Sequence, residues 1–287
     1  EIEEISIRNA TFDTRDFIDG VVVSGHLGEL FLESHGVVFS PETARINEFS
    51  VKNTDVSLTL GSIESTDTVP SEPLYWKILL DEIDFENVGF ALKMPQDSLF
   101  VRTMLPKTTL KNGVIDLKEA SYYVKSFGID NAELAYGPKE ELFLQQIGLQ
   151  LDSIYYCGKD IRANIEEFVL KERSGLELVS TEGRIVSDSV LIEIPKFTMK
   201  TTASSLDLQT KIGWDVLEMK KTGVLSAKIN AEIGKGDVAK ILGGRDTLFL
   251  QTYPNKPFVF RADAEGDLKR LRLRTLEAGL AKAFELK

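Results

Sequence analysis

The stretch Ser126-Phe127-Gly128-Ile129-Asp130-Asn131-Ala132-Glu133-Leu134-Ala135-Tyr136 alternates apolar and polar residues but changes phase at its asparagine. Phe127 and Ile129 share the parity of Asn131, whereas Ala132, Leu134 and Tyr136 take the other. Alternation of period two marks a half-buried β-strand. In a straight strand the phase change would send the second apolar set to the opposite face. A bulge or tight bend at the asparagine, a residue that tolerates left-handed backbone, keeps both sets on one side. The competing reading is a plain turn between two separate hairpin strands.

Four further copies of the phrase precede this one. They read Ile5-x-Ile7-x-Asn9-Ala10-x-Phe12, Phe49-x-Val51-x-Asn53-Thr54-x-Val56-x-Leu58, Ile83-x-Phe85-x-Asn87-Val88-x-Phe90-x-Leu92 and Thr108-x-Leu110-x-Asn112-Gly113-x-Ile115-x-Leu117. The asparagines are separated by 44, 34, 25 and 19 residues, so the repetition is looser than that of a strict solenoid. The reading is a sheet curved at Asn9, Asn53, Asn87, Asn112 and Asn131 with one apolar face. The residues expected on that face are Ile5, Ile7, Phe12, Phe49, Val51, Val56, Leu58, Ile83, Phe85, Phe90, Leu92, Phe127, Ile129 and Leu134. Beyond residue 140 the asparagine disappears, although Phe197-x-Met199-x-Thr201-Thr202-x-Ser204-x-Leu206 keeps the phase change.

The rest of the chain fits the same class. Turn signals at Lys111-Asn112-Gly113, Tyr136-Gly137-Pro138, Ser174-Gly175 and Tyr253-Pro254-Asn255 separate alternating runs, which predicts roughly twenty to twenty-five short, mostly antiparallel strands. The expected fold is all-β with one or two short helices: an elongated, curved antiparallel sheet folded over an apolar groove, continuous over 1–287. The polar segment 62–73, with two prolines, reads as an exposed loop and a subdomain seam. Residues 236–251 read as a short helical cap, with Asp237 as N-cap and Gly243 or Gly244 as the stop. Residues 275–284 fit strand or helix.

Composition narrows the function. A net charge of -11 and a pI near 4.9 argue against a nucleic-acid partner and against electrostatic docking on anionic lipid. No run approaches the ~20 apolar residues of a spanning helix. The chain opens on Glu1 and reads as a piece of a longer protein. Cys157, the single cysteine, has no internal partner for a disulfide and reads as a small apolar strand residue. Only His26 and His35 could seed a zinc or catalytic pair, and no further ligand, nucleophile elbow, phosphate loop or dinucleotide fingerprint accompanies them. The acids Asp81, Glu82, Asp84, Glu86, Glu140 and Glu141 read as solvated faces rather than a glycosidase pair. No cofactor, metal or catalytic residue is expected.

The repeated phrase, the run Leu149-x-Leu151-Asp152-Ser153-Ile154-Tyr155-Tyr156 and the tail Phe258-x-Phe260-x-Ala262-x-Ala264-Glu265-Gly266-Asp267-Leu268 resemble the AsmA-like/TamB family of Gram-negative bacteria, particularly its Bacteroidetes-type members. That resemblance implies a periplasmic segment tethered to the inner membrane by a helix upstream, with phospholipid or acyl chains in an apolar β-groove. It implies a role in phospholipid transport between membranes or in outer-membrane protein assembly, with the assembly partner contacted through regions outside this chain. The alternative is a structural or adhesive envelope β protein with a closed core. A polysaccharide-active envelope enzyme is the third reading.

Overall fold

The computed structural model describes residues 3–16, 20–39, 42–61, 75–219, 223–243, 247–267, 269–280 and 284–286. The chain is all-β with three short helices, and it divides into two compact units between Gln150 and Leu151. The loop expected at 62–73 lies outside the described residues.

The first unit holds β1 (Glu4–Asp16), β2 (Val21–Phe39), β3 (Glu42–Thr59), β4 (Lys77–Met94), β5 (Leu99–Asp116) and β6 (Ser121–Tyr136); β7 (Leu142–Cys157) crosses the division. From β1 to β6 each strand pairs with its neighbours in sequence, antiparallel throughout except for the parallel pair β3–β4. The second unit runs β8 (Asp160–Glu172), β9 (Glu177–Ser187), β10 (Leu191–Thr201), β11 (Ser205–Gly213), α1 (Trp214–Leu217), β12 (Leu225–Ile233), α2 (Lys235–Leu242), α3 (Thr247–Thr252), β13 (Phe258–Gly266), β14 (Leu271–Leu280) and β15 (Phe284–Leu286). Its strands also pair in sequence order and antiparallel.

Fifteen strands among the described residues, several of them 16 to 19 residues long, replace the larger number of short ones expected. The reason is local. Lys111-Asn112-Gly113 was expected to turn the chain but lies inside β5, and the other four asparagines also sit within single strands. All five have left-handed backbone, with φ of 53° at Asn9, 50° at Asn53, 54° at Asn87, 53° at Asn112 and 57° at Asn131. Gln146 and Ser153 within β7 share this conformation without the asparagine that would announce it. At Thr201, by contrast, the phase change is a hairpin turn: β10 ends there and β11 begins at Ser205.

The helical cap differs in detail from the sequence reading. Gly234, in extended backbone, occupies the N-cap of α2, and Gly243 closes it in left-handed conformation. Asp237 lies in the first turn instead of capping it. The segment 275–280 is strand, and α1 carries no strong start or stop signal in the sequence. Tight turns are held by acids: the Asp188 carboxylate accepts from the N–H groups of Val190 and Leu191, and that of Asp267 from Lys269 and Arg270. These backbone hydrogen bonds hold both carboxyls below their ordinary pKa.

Candidate functional site: an apolar face

In the first unit the strand register arranges the sequence phrase into transverse rows. Ile5, Leu32, Phe49, Ile83, Leu110 and Phe127 are successive partners across β1 to β6, and Ile7, Leu30, Val51, Phe85, Thr108 and Ile129 form the next row. Beyond the asparagines run Phe12, Gly25, Val56, Phe90, Thr103 and Leu134, then Thr14, Val23, Leu58, Leu92, Val101 and Tyr136. All fourteen candidate face residues thus fall in four rows. Phe49 and Phe85 pack edge to face with centroids 6.1 Å apart.

Between the second and third of these rows lies a line of kinks. The register sets Asn9 opposite Gly28, Gly28 opposite Asn53, Asn53 beside Asn87, Asn87 opposite Pro106 and Pro106 opposite Asn131, with no ladder pairing at any of these positions. The 34-residue spacing of Asn53 and Asn87 is the offset of the parallel β3–β4 pair, so the Asn87 amide Nδ2 donates to Asn53 Oδ1 at 3.2 Å. One left-handed residue resets the alternation by one position. Burial records the reset: Val51 and Thr54, three apart, are 8% and 2% exposed, while Asn53 between them is exposed.

Asn112 belongs to a second line, opposite Asp81 and Lys125. There the contact is direct: a Cβ built on Gly113 would stand 3.1 Å from Leu110 Cδ2 and 3.3 Å from the Leu80 side chain. Leu110 and residue 113, of opposite parity, therefore share a side. Next to this line the Arg45 guanidinium holds Asp81 through both carboxylate oxygens, Asn47 Nδ2 donates to Asp81 Oδ2 at 2.9 Å, and His35 Nδ1 lies 2.6 Å from Asn47 Oδ1.

Beside the row of Ile7 to Ile129 runs a row of charged positions. Arg8, Glu29, Lys52, Glu86, Lys107 and Asp130 are successive partners, so charge alternates in sign across six strands; Arg8 and Glu29 approach to 3.3 Å and Lys52 and Glu86 to 3.9 Å. Such exposed pairs stabilise little individually but keep this side in water. The second unit repeats the division. Phe197, Leu208, Ile229, Ala262 and Leu276 form one row, Met199, Leu206, Ala231, Phe260 and Ala278 another, and Thr198, Asp207, Asn230, Arg261 and Glu277 run between them. No asparagine phrase marks these strands.

The apolar side is not sealed. Among the described residues only Val51, Leu80, Ala132, Ala135, Val216 and Tyr253 are buried apolar side chains, and Ile5, Ile7, Phe90 and Tyr136 are exposed. The accessible surface is 18389 Å², against about 15,000 Å² for two separate compact halves. Hollows of about 310, 340 and 430 Å³ bring opposite charges together, such as Asp55 with Arg102, Glu182 with Lys196 and Glu86 with Lys107. No group of acidic, histidine and cysteine side chains among the described residues could hold a metal, and no described helix is long and apolar enough to cross a membrane. His26 Nδ1 lies 3.4 Å from the exposed Thr11 hydroxyl.

A buried carboxylate does occur in the second unit, where Asp237 is 2% exposed. It accepts from the hydroxyls of Thr201, Thr202 and Ser204, with Lys240 Nζ at 3.8 Å. Burial opposes its ionisation, but the hydroxyl donors and Lys240 outweigh burial and hold the carboxyl below its ordinary value. With every acceptor engaged, this group anchors α2 to the β10–β11 turn. No family model matches the chain, and no curated protein matches it.

Proposed function

We propose that the apolar face of this chain is a binding surface for the acyl chains of phospholipid, in a periplasmic segment of an envelope protein that moves lipid between membranes or assists outer-membrane protein assembly. The observation that carries this reading is the coherence of the face: fourteen residues of one sequence phrase lie in four parallel rows, with a row of alternating charges beside them, and are left unsealed. An acyl chain of about sixteen carbons loses on the order of 10 kcal/mol by leaving water, at ~0.8 kcal/mol per methylene. Rows dominated by Ile, Leu, Val and Phe take up that apolar surface along their length, with no charged side chain to fix one position. Lipid could therefore be held without being trapped, and the work needs no nucleophile, metal or cofactor.

The test is to extract lipid from the purified chain and quantify it by mass spectrometry. Bound phospholipid is expected, falling severalfold in the double variant Phe85→Asp, Phe90→Asp, while Glu86→Gln on the charged side leaves it unchanged. A chain without lipid whose rows are protected from solvent would overturn the proposal and favour a structural or adhesive β protein.

A further inference from the structure

We propose that the first unit is a tandem duplication of one three-stranded module and that its two copies, β1–β3 and β4–β6, present two equivalent acyl-chain sites. The assignment of the sites rests on the lipid reading above, whereas the duplication is read from the chain independently of it.

The unequal intervals between the asparagines conceal a fixed one. Asn9 and Asn87, Gly28 and Pro106, and Asn53 and Asn131 are each 78 residues apart, so the kink line of β1–β3 recurs in β4–β6 without insertion or deletion. Strand limits follow the same shift: β1 and β4 end at Asp16 and Met94, and β2 and β5 begin at Val21 and Leu99. The residue before that second strand is left-handed in both copies, with φ of 65° at Gly20 and 51° at Ser98. The parallel β3–β4 pair has the same origin. Three antiparallel strands leave the third running in the direction of the first, so a following copy begins parallel to it.

What the copies share most closely is the apolar face. At this shift Ile5, Phe12, Leu32 and Phe49 recur unchanged as Ile83, Phe90, Leu110 and Phe127. The charges beside them are inverted instead, Arg8 to Glu86, Glu29 to Lys107 and Lys52 to Asp130. An odd number of strands requires this: repeating the signs unchanged would set Lys52 against a second cation at position 86. The charged row therefore differs by the demands of pairing, while each copy keeps a complete set of apolar contacts. One copy is also large enough for a chain. Its face measures about 14 Å across three strands and about 30 Å along them, at ~4.8 Å per strand and ~3.3 Å per residue, and a chain in one bilayer leaflet extends about 15 Å. Like contacts in like register give the two sites like affinity, which lets a chain pass between them without a trap.

The test is photolabelling of the whole chain with a palmitate analogue that carries a diazirine, mapped by peptide mass spectrometry. Labels are expected on both copies, at pairs of positions 78 residues apart. Phe12→Ser should cut labelling of β1–β3 severalfold with that of β4–β6 unchanged, and Phe90→Ser should do the reverse. Hydrogen exchange confirms that each variant is folded, and the label map of the unaltered chain decides alone if one is not. Label confined to one copy, or removed from both by a single variant, overturns the paired sites in favour of one site for the unit, with lipid binding retained. Absence of label from the whole chain, together with no extractable phospholipid, overturns the lipid reading and the sites with it.

Discussion

Asn53 and Asn87 show how one residue type sets the course of a sheet. Left-handed backbone costs an L-residue with a β-carbon roughly 1–2 kcal/mol, less for asparagine and least for glycine. Here the cost is offset twice, by the Nδ2–Oδ1 bond at 3.2 Å and by keeping Val51 and Thr54 both buried. Asn53→Gly is therefore expected to cost at most about 1 kcal/mol, and Asn53→Val about 2–3 kcal/mol, since a β-branched residue resists this conformation. Urea denaturation of the two variants checks the order; equal losses would show that the side-chain bond, not the backbone, dominates. The asparagines were readable because the phase of the apolar residues changes at each of them. Gly28 and Pro106, their partners, were not. Leu27-Gly28-Glu29-Leu30 and Leu105-Pro106-Lys107-Thr108 resemble one another only once register sets both beside an asparagine.

At the level of elements, α2 depends on one carboxylate. Asp237 takes three hydroxyl hydrogen bonds, and Asp237→Ala leaves those hydroxyls without their acceptor, a loss of about 3 kcal/mol felt first in α2. Hydrogen exchange at the α2 amides should accelerate while β3 and β4 remain protected. Acid should act in the same direction. The folded pKa of Asp237 lies below its unfolded value near 3.9, so its stabilisation is complete above about pH 4 and fades as pH falls through the lower folded value. Asp188 and Asp267 titrate with the same sign, which makes the turns of the second unit acid-sensitive as a group. Exchange at α2 that is unchanged between pH 6 and pH 3 would contradict this assignment. The end of the helix was legible from Gly243, but the role of Asp237 was not, because Thr201, Thr202 and Ser204 are brought to it by the β10–β11 turn from more than thirty residues away.

For the molecule as a whole, the surface left in water has a measurable thermodynamic consequence. With 18389 Å² exposed in the native state, unfolding exposes about 28,000 Å² more, where two separate compact halves would expose about 32,000 Å². The urea m-value, summed over all unfolding transitions, is accordingly expected to be about one tenth lower than for two compact domains of this total size. An m-value at the compact expectation would mean that the apolar rows are covered in solution. Acyl chains that occupy those rows should raise the midpoint of unfolding in proportion to their concentration relative to affinity, because they bind the folded rows alone.

The sequence by itself determined the all-β class and the places where the alternation changes phase, because alternation and its change of phase are local properties that each strand carries alone. Tertiary structure decided the rest. Whether a phase change is a kink or a turn depends on pairing on both sides: Asn112 continues β5 whereas Thr201 ends β10. The parallel pairing of β3 with β4 aligns Asn53 with Asn87, and the alternating charges from Arg8 to Asp130 appear only when six strands lie in register. Register is a relation between distant segments, set by the summed packing of whole strands, and no single stretch of the chain contains it.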